Sequence, residues 1–209
     1  MRTKTSIEIY NYWDQIRGAD AGPLRSQIQP GAIRYLLPEL FILEGDDLRQ
    51  PAFRLAGTRI CSLFGRELRN SPFSSLWPDG QDGDATTIAA GVMQHGIPAL
   101  LNVTGFSRSG RSLRLEMVLL PVRSSGTTYD RILGSLTAET PISWLGAEPL
   151  DCITIDRSRL IGPGETAVNT GSLDPARTPK SLVVNRGGEF GEIMRRVLHL
   201  RIFEGGRVE

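Results

Sequence analysis

RSLRLEMVLLPVR, residues 111–123, is the stretch on which the fold turns. Leu113, Leu115, Met117 and Leu119 recur at every second residue, and Ser112, Arg114 and Glu116 begin the alternate series. Successive side chains of a strand point to opposite faces, so this period of two predicts a β-strand with one apolar face and one that starts polar. The runs on either side, 99–106 and 131–138, are strand-like too, with turns at 107–110 and 124–128 between them. Three consecutive antiparallel strands are expected here.

Upstream the pattern is mixed. Residues 85–95 read as a helix stopped by Gly96, and 58–64 as a shorter one stopped by Gly65. Between them Ser71 is placed to cap a turn that starts at Pro72 and carries Phe73, Leu76 and Trp77, followed by a loop over 78–84. Residues 40–44 and 52–55 read as a hairpin around the polar turn 45–50. Pro30 opens a short helix with Ile33, Leu36 and Leu37 inward, ending before Pro38. At the N-terminus, Ile9, Tyr12, Trp13 and Ile16 form an apolar stripe on a helix over 5–17, which Gly18 stops. The order implies an α+β domain, a five-stranded antiparallel sheet with helices over one face.

Downstream, 150–155 could be a further strand, 162–180 reads as a flexible linker, and 189–198 resumes a helix with Phe190, Ile193, Val197 and Leu198 on one side. The chain therefore divides into a flanking helix and loop (1–29), a central domain (30–145) and a C-terminal extension (146–209).

Composition narrows the function. The 209 residues are 40% hydrophobic, enough for a packed core and against a disordered chain. Net charge is +1, with 15 basic and 14 acidic residues up to position 140 and 9 of each beyond it, so no global field favours nucleic acid. Cys61 and Cys152 lie far apart without metal-type spacing and read as free thiols. The N-terminus has no apolar signal region and no stretch reaches the ~20 apolar residues of a membrane span, so a soluble, cytoplasmic protein is expected.

The sequence offers little chemistry. There is no G-x-S-x-G elbow, P-loop or G-x-G-x-x-G fingerprint. Asp79, Asp82 and Asp84 resemble a calcium loop superficially, but the twelfth positions counted from Asp79 and Asp82 are Ala90 and Met93, not Glu. His95, at a helix C-terminus, reads as a partly exposed cation, and His199 as structural or surface. No metal site and no enzymatic activity are expected.

The order β-β-α-α-α-β-β-β resembles a PAS domain. The wording YWDQIRG (12–18), LLPELFILE (36–44), FRLAGTRICSLFGRELRNSPFSSLW (53–77), LLPV (119–122) and HLRIFEGGR (199–207) is similar to the bacterial PAS subfamily once designated a domain of unknown function. The resemblance implies a sensory or interaction module in signal transduction, with helices and sheet enclosing a small pocket. On that fold the inward residues are Phe53, Leu55, Ile60, Phe64, Phe73, Trp77, Leu101, Val103, Leu115, Met117 and Leu136, with Arg59 and Asn102 as polar handles. An unidentified small-molecule ligand is one occupant; the alternative is an adaptor whose pocket is filled by its own side chains. The resemblance also implies no cofactor: His95 has no second axial partner for haem, and Cys61 lies one helix before the reactive position of flavin-binding relatives, which here falls near Asn70, Ser71 and Pro72.

Two surfaces point to protein partners. Arg54, Arg59, Arg66 and Arg69 surround Glu67, and Arg108, Arg111, Arg114 and Arg123 surround Glu116; they read either as solvated faces balanced elsewhere or as one surface for an acidic partner or an anionic ligand. The stripe Ile9, Tyr12, Trp13 and Ile16 must be covered by the chain's own sheet or by a second copy, and a homodimer through that helix is expected. Output then passes to an unidentified signalling protein.

Overall fold

The computed structural model describes residues 1–46, 49–140 and 148–162. Helix α1 (Lys4–Arg17) starts at Thr3, whose hydroxyl accepts from the Ser6 N–H, and stops at Gly18, where φ of 59° favours glycine. Strands β1 (Leu40–Asp46) and β2 (Arg49–Ala56) pair antiparallel. Helix α2 (Thr58–Phe64), a 3-10 turn over Phe73–Leu76, and helix α3 (Asp82–His95) follow. Strands β3 (Ala99–Ser107), β4 (Ser112–Val122), β5 (Arg131–Ala138) and β6 (Leu150–Leu160) complete the order. Among the described residues no helix is long and apolar enough to cross a membrane.

The strands form one antiparallel sheet in the order β2-β1-β5-β4-β3-β6. The sheet has six strands instead of the expected five, because the segment from 150 runs on to Leu160 and pairs along all of β3. Leu150 and Ile153 of β6 are buried, while most of its other residues stay at least partly exposed, the pattern of an edge strand with one packed side.

Strand β4 shows why both faces are covered. Leu113, Leu115, Met117 and Leu119 pack under α2 and α3; Val118, Leu120 and Val122 pack under α1 with Ile9, Tyr10 and Trp13. The face that starts polar at Ser112 and Arg114 turns fully buried from Glu116 onward. Pro121 is tolerated in this central strand because β3 has already ended opposite Leu119, so no β3 residue stands opposite Pro121.

Three local expectations are corrected. Helix α3 begins at Asp82, not 85, since Asp82 and Asp84 in its first turn complement the helix dipole. Ser71 does not cap the next turn: its N–H donates to the Leu68 carbonyl and its carbonyl accepts from the Phe53 N–H, while Pro72 precedes the turn without a side-chain cap. Leu37 faces outward because the expected helix is broken into separate 3-10 turns at Pro30–Ile33 and Leu37–Glu39, and three residues per turn keep only Ile33 and Leu36 inward. The expected linker beyond 162 and the helix carrying Phe190, Ile193, Val197 and Leu198 lie outside the described residues, as does His199.

Candidate functional site

The buried cluster between the sheet and helices α2 and α3 is built on a chain of aromatic rings. Phe41 meets Phe53 edge-on at 5.6 Å between centroids, Phe53 meets Phe73 at 5.9 Å, and Phe73 meets Trp77 edge-on at 5.6 Å. Phe41 can lie flat on the sheet because its cross-strand neighbour is Gly134; a Cβ there would stand 2.1 Å from the ring. Ten of the expected lining residues are brought together here: Phe53, Ile60, Phe64, Phe73, Trp77, Leu101, Val103, Leu115, Met117 and Leu136 all belong to this one buried cluster.

The other three are elsewhere. Leu55 stands opposite Ile42, which packs on the α1 side, and a register shift after Ile42 puts Phe53 inward while Leu55 is left 48% exposed on the outer face. Asn102 stands opposite Glu116, so it too belongs to the α1 face. Arg59 lies on the solvent side of α2, paired with Glu39 at 2.5 Å, and Glu39 also accepts from Thr5 of α1. Neither proposed polar handle reaches the interior. The polar atom found there is the Trp77 indole Nε1, buried and without a hydrogen-bond partner. Phe41 went unread as a lining residue, although its spacing from Leu43 marks the inward side of β1.

The opposite face is built around Glu116, which is fully buried. Its carboxylate accepts from the Arg2 N–H at 2.8 and 3.0 Å, and from the Thr3 N–H and hydroxyl at 3.0 Å each. A negative group against the first free N–H groups of a helix satisfies donors that have no partner within the helix. Toward the other end of α1, the Trp13 indole donates to the Pro121 carbonyl at 2.9 Å. The hydroxyls of Ser135 and Thr137 on β5 remain buried without partners. The stripe expected at a dimer interface is thus used within the chain: Ile9 and Trp13 are buried against the sheet, and Tyr12 and Ile16 pack at the edge of that cluster. The physical reason is that β4 and β5 present a second apolar face for α1 to cover.

The arginines divide. Arg108, Arg111, Arg114 and Arg123 each have an acid, respectively Asp151, Glu148, Glu139 and Asp20. Arg66 donates to the Ser75 carbonyl and hydroxyl. Arg54 and Arg69, with Arg25 and Arg131, line a groove of about 470 Å³ floored by Ile42, Leu55 and Ala56, with Glu67 at its side. Arg25 and Arg131 could not be assigned to it from sequence, because only the tertiary fold brings them beside β2.

Glu67 is held below the usual carboxylate range, first by the Arg69 N–H and then by the Cys61 thiol, the Leu68 N–H and the Arg69 charge. Burial pushes the Cys61 thiol up, and Glu67, 3.6 Å away, pushes it further. Burial raises Cys152 as well. Both shifts favour the protonated thiol over the reactive thiolate. His95 ends α3, half-buried, before Gly96.

A family model described as a PAS domain matches residues 1–137, from before α1 almost to the end of β5. No curated protein matches the chain. Among solved structures, a light-oxygen-voltage domain from work on its mechanism with a flavin analogue is similar, at 14% identity and a TM-score of 0.40, covering 56% of this chain and 87% of that one.

Proposed function

We propose, since this chain belongs to the PAS domain family, that it is a non-enzymatic sensory domain. It takes a small, mostly apolar ligand between the sheet and α2–α3, and passes on its state by contact with another protein. The observation that carries the ligand is the Trp77 indole N–H, buried in an apolar surround without an acceptor. A donor left in that condition costs about 1–3 kcal/mol, which an acceptor atom on a bound molecule would recover. The ligand class is therefore an apolar body with at least one hydrogen-bond acceptor. The absence of enzymatic chemistry is supported by the placement of charge: among the described residues the one fully buried carboxylate, Glu116, is on the opposite face and committed to α1.

The ring contacts among Phe41, Phe53, Phe73 and Trp77 favour a second reading, an adaptor whose interior is filled by its own side chains. Native mass spectrometry of the purified chain separates the two. The sensory reading expects a population heavier than the bare chain by a small-molecule mass, reduced in Trp77→Phe. A wild type found only at the bare chain mass supports the adaptor.

A further inference from the structure

We propose that the groove over β1 and β2 is a docking site for a short acidic segment of a partner protein, one with an apolar side chain flanked by carboxylates. The proposal rests on the reading above that output passes through a protein contact, and names the surface that makes it. The cluster under α1 covers the outer face of β4, β5 and the start of β1, where Leu40 is buried and Ile42 partly so, and leaves β2 open, which is why Leu55 is exposed beside Ile42. Around this apolar floor stand Arg25, Arg54, Arg69 and Arg131, drawn from four separate parts of the chain. Against them are Glu67 in the lining, Glu44, which pairs with Arg54 at 3.7 Å and Arg131 at 3.4 Å, and Asp130, which pairs with Arg131 at 3.8 Å, so four arginines against three acids leave the groove a net charge of +1.

The acids do not close the site. Glu67 is engaged by the Leu68 and Arg69 N–H groups at 3.0 Å each. Arg25 makes no ion pair among the described residues, and the Arg131 Nε, 3.8 Å from Asp130, has a charge beside it but no hydrogen-bond acceptor. A volume of about 470 Å³ lies within the range of clefts that hold ligands. An inorganic anion would answer the arginines and leave Leu55 in water. A nucleic acid strand would find no aromatic side chain to stack on, since the lining holds none. An acidic peptide with an apolar residue meets both halves of the groove: arginine forks suit carboxylates, and Leu55 suits an apolar side chain.

The test uses the full chain and a fluorescein-labelled, capped pentapeptide alternating glutamate and leucine, followed by anisotropy. A lysine-for-glutamate peptide and inorganic phosphate serve as comparisons. The acidic peptide is expected to bind more tightly than the basic one and to weaken as salt is raised. Arg25→Glu with Arg69→Glu should weaken it about tenfold or more, through loss of charge-assisted contacts. Leu55→Ser should weaken the peptide too, without altering competition by phosphate. An acidic peptide no tighter than the basic one, or one indifferent to the double reversal, overturns the proposal. Phosphate displacing the peptide equally well from wild type and Leu55→Ser, with no loss of peptide affinity in Leu55→Ser, also overturns it, in favour of a small-anion site only. Native mass spectra of the same samples keep the two proposals apart. Peptide binding without an interior adduct removes the ligand reading alone, and an adduct without peptide binding removes the groove alone.

Discussion

Trp13 and Trp77 are both nearly fully buried, on opposite faces of one sheet, and their indole N–H groups have opposite fates. Trp13 donates to the Pro121 carbonyl at the free end of β4; Trp77 has no acceptor. The α1 face also has Glu116, with its carboxylate on the Arg2 and Thr3 N–H groups. The α2–α3 face is apolar throughout its buried cluster except for that one donor. The α1 face keeps two unpartnered hydroxyls, on Ser135 and Thr137, but its carboxylate and its indole are both anchored, whereas the single polar atom of the α2–α3 cluster is not. The first is expected to be structural, the second to be where a ligand makes a difference.

The comparison can be broken most forcefully on the aromatic side. Phe73 touches Phe41, Phe53 and Trp77, so Phe73→Ala should cost about 3–5 kcal/mol in urea unfolding. A loss under about 1 kcal/mol would mean that the ring chain is not close-packed. On the other face, Glu116→Ala removes the acceptor of the Arg2 and Thr3 N–H groups, and about 2–3 kcal/mol is expected. Hydrogen exchange should show that loss first over 4–17, with protection of β4 and β5 retained; an unchanged α1 would contradict the anchor.

The finer contrast is between two equal substitutions. Trp13→Phe and Trp77→Phe remove the same volume, but only the first also leaves the Pro121 carbonyl without its donor. Trp13→Phe should therefore be the more destabilising by about 1–2 kcal/mol in ligand-free protein. Equal losses would show that the Trp77 indole is satisfied in solution.

How much of this is legible in the sequence depends on range. Period two in β4 and β5 and the glycines after α1, α2 and α3 are local signals, and the element order follows from them. Ten lining residues are readable because parity along a strand or helix fixes their side. Leu55 is misread because a register shift between β1 and β2 breaks that parity, which a single strand's sequence does not reveal. Glu116 reads as solvated because alternation tells which residues share a face, not whether α1 will cover it. The groove gathers Arg25, Arg54, Arg69 and Arg131 across more than a hundred residues, and no local pattern encodes that meeting.

The most direct measurement follows the indole N–H resonances in an ¹⁵N-labelled full chain, assigned with Trp13→Phe and Trp77→Phe. Spectra are taken of the protein as purified and after unfolding, dialysis and refolding, a treatment that strips a bound small molecule. The account expects the Trp77 indole signal to move and its exchange with water to quicken, while the Trp13 signal, fixed on Pro121, stays in place. Superimposable Trp77 signals in the two preparations, with no small-molecule mass in either, would contradict it and leave the filled-interior adaptor.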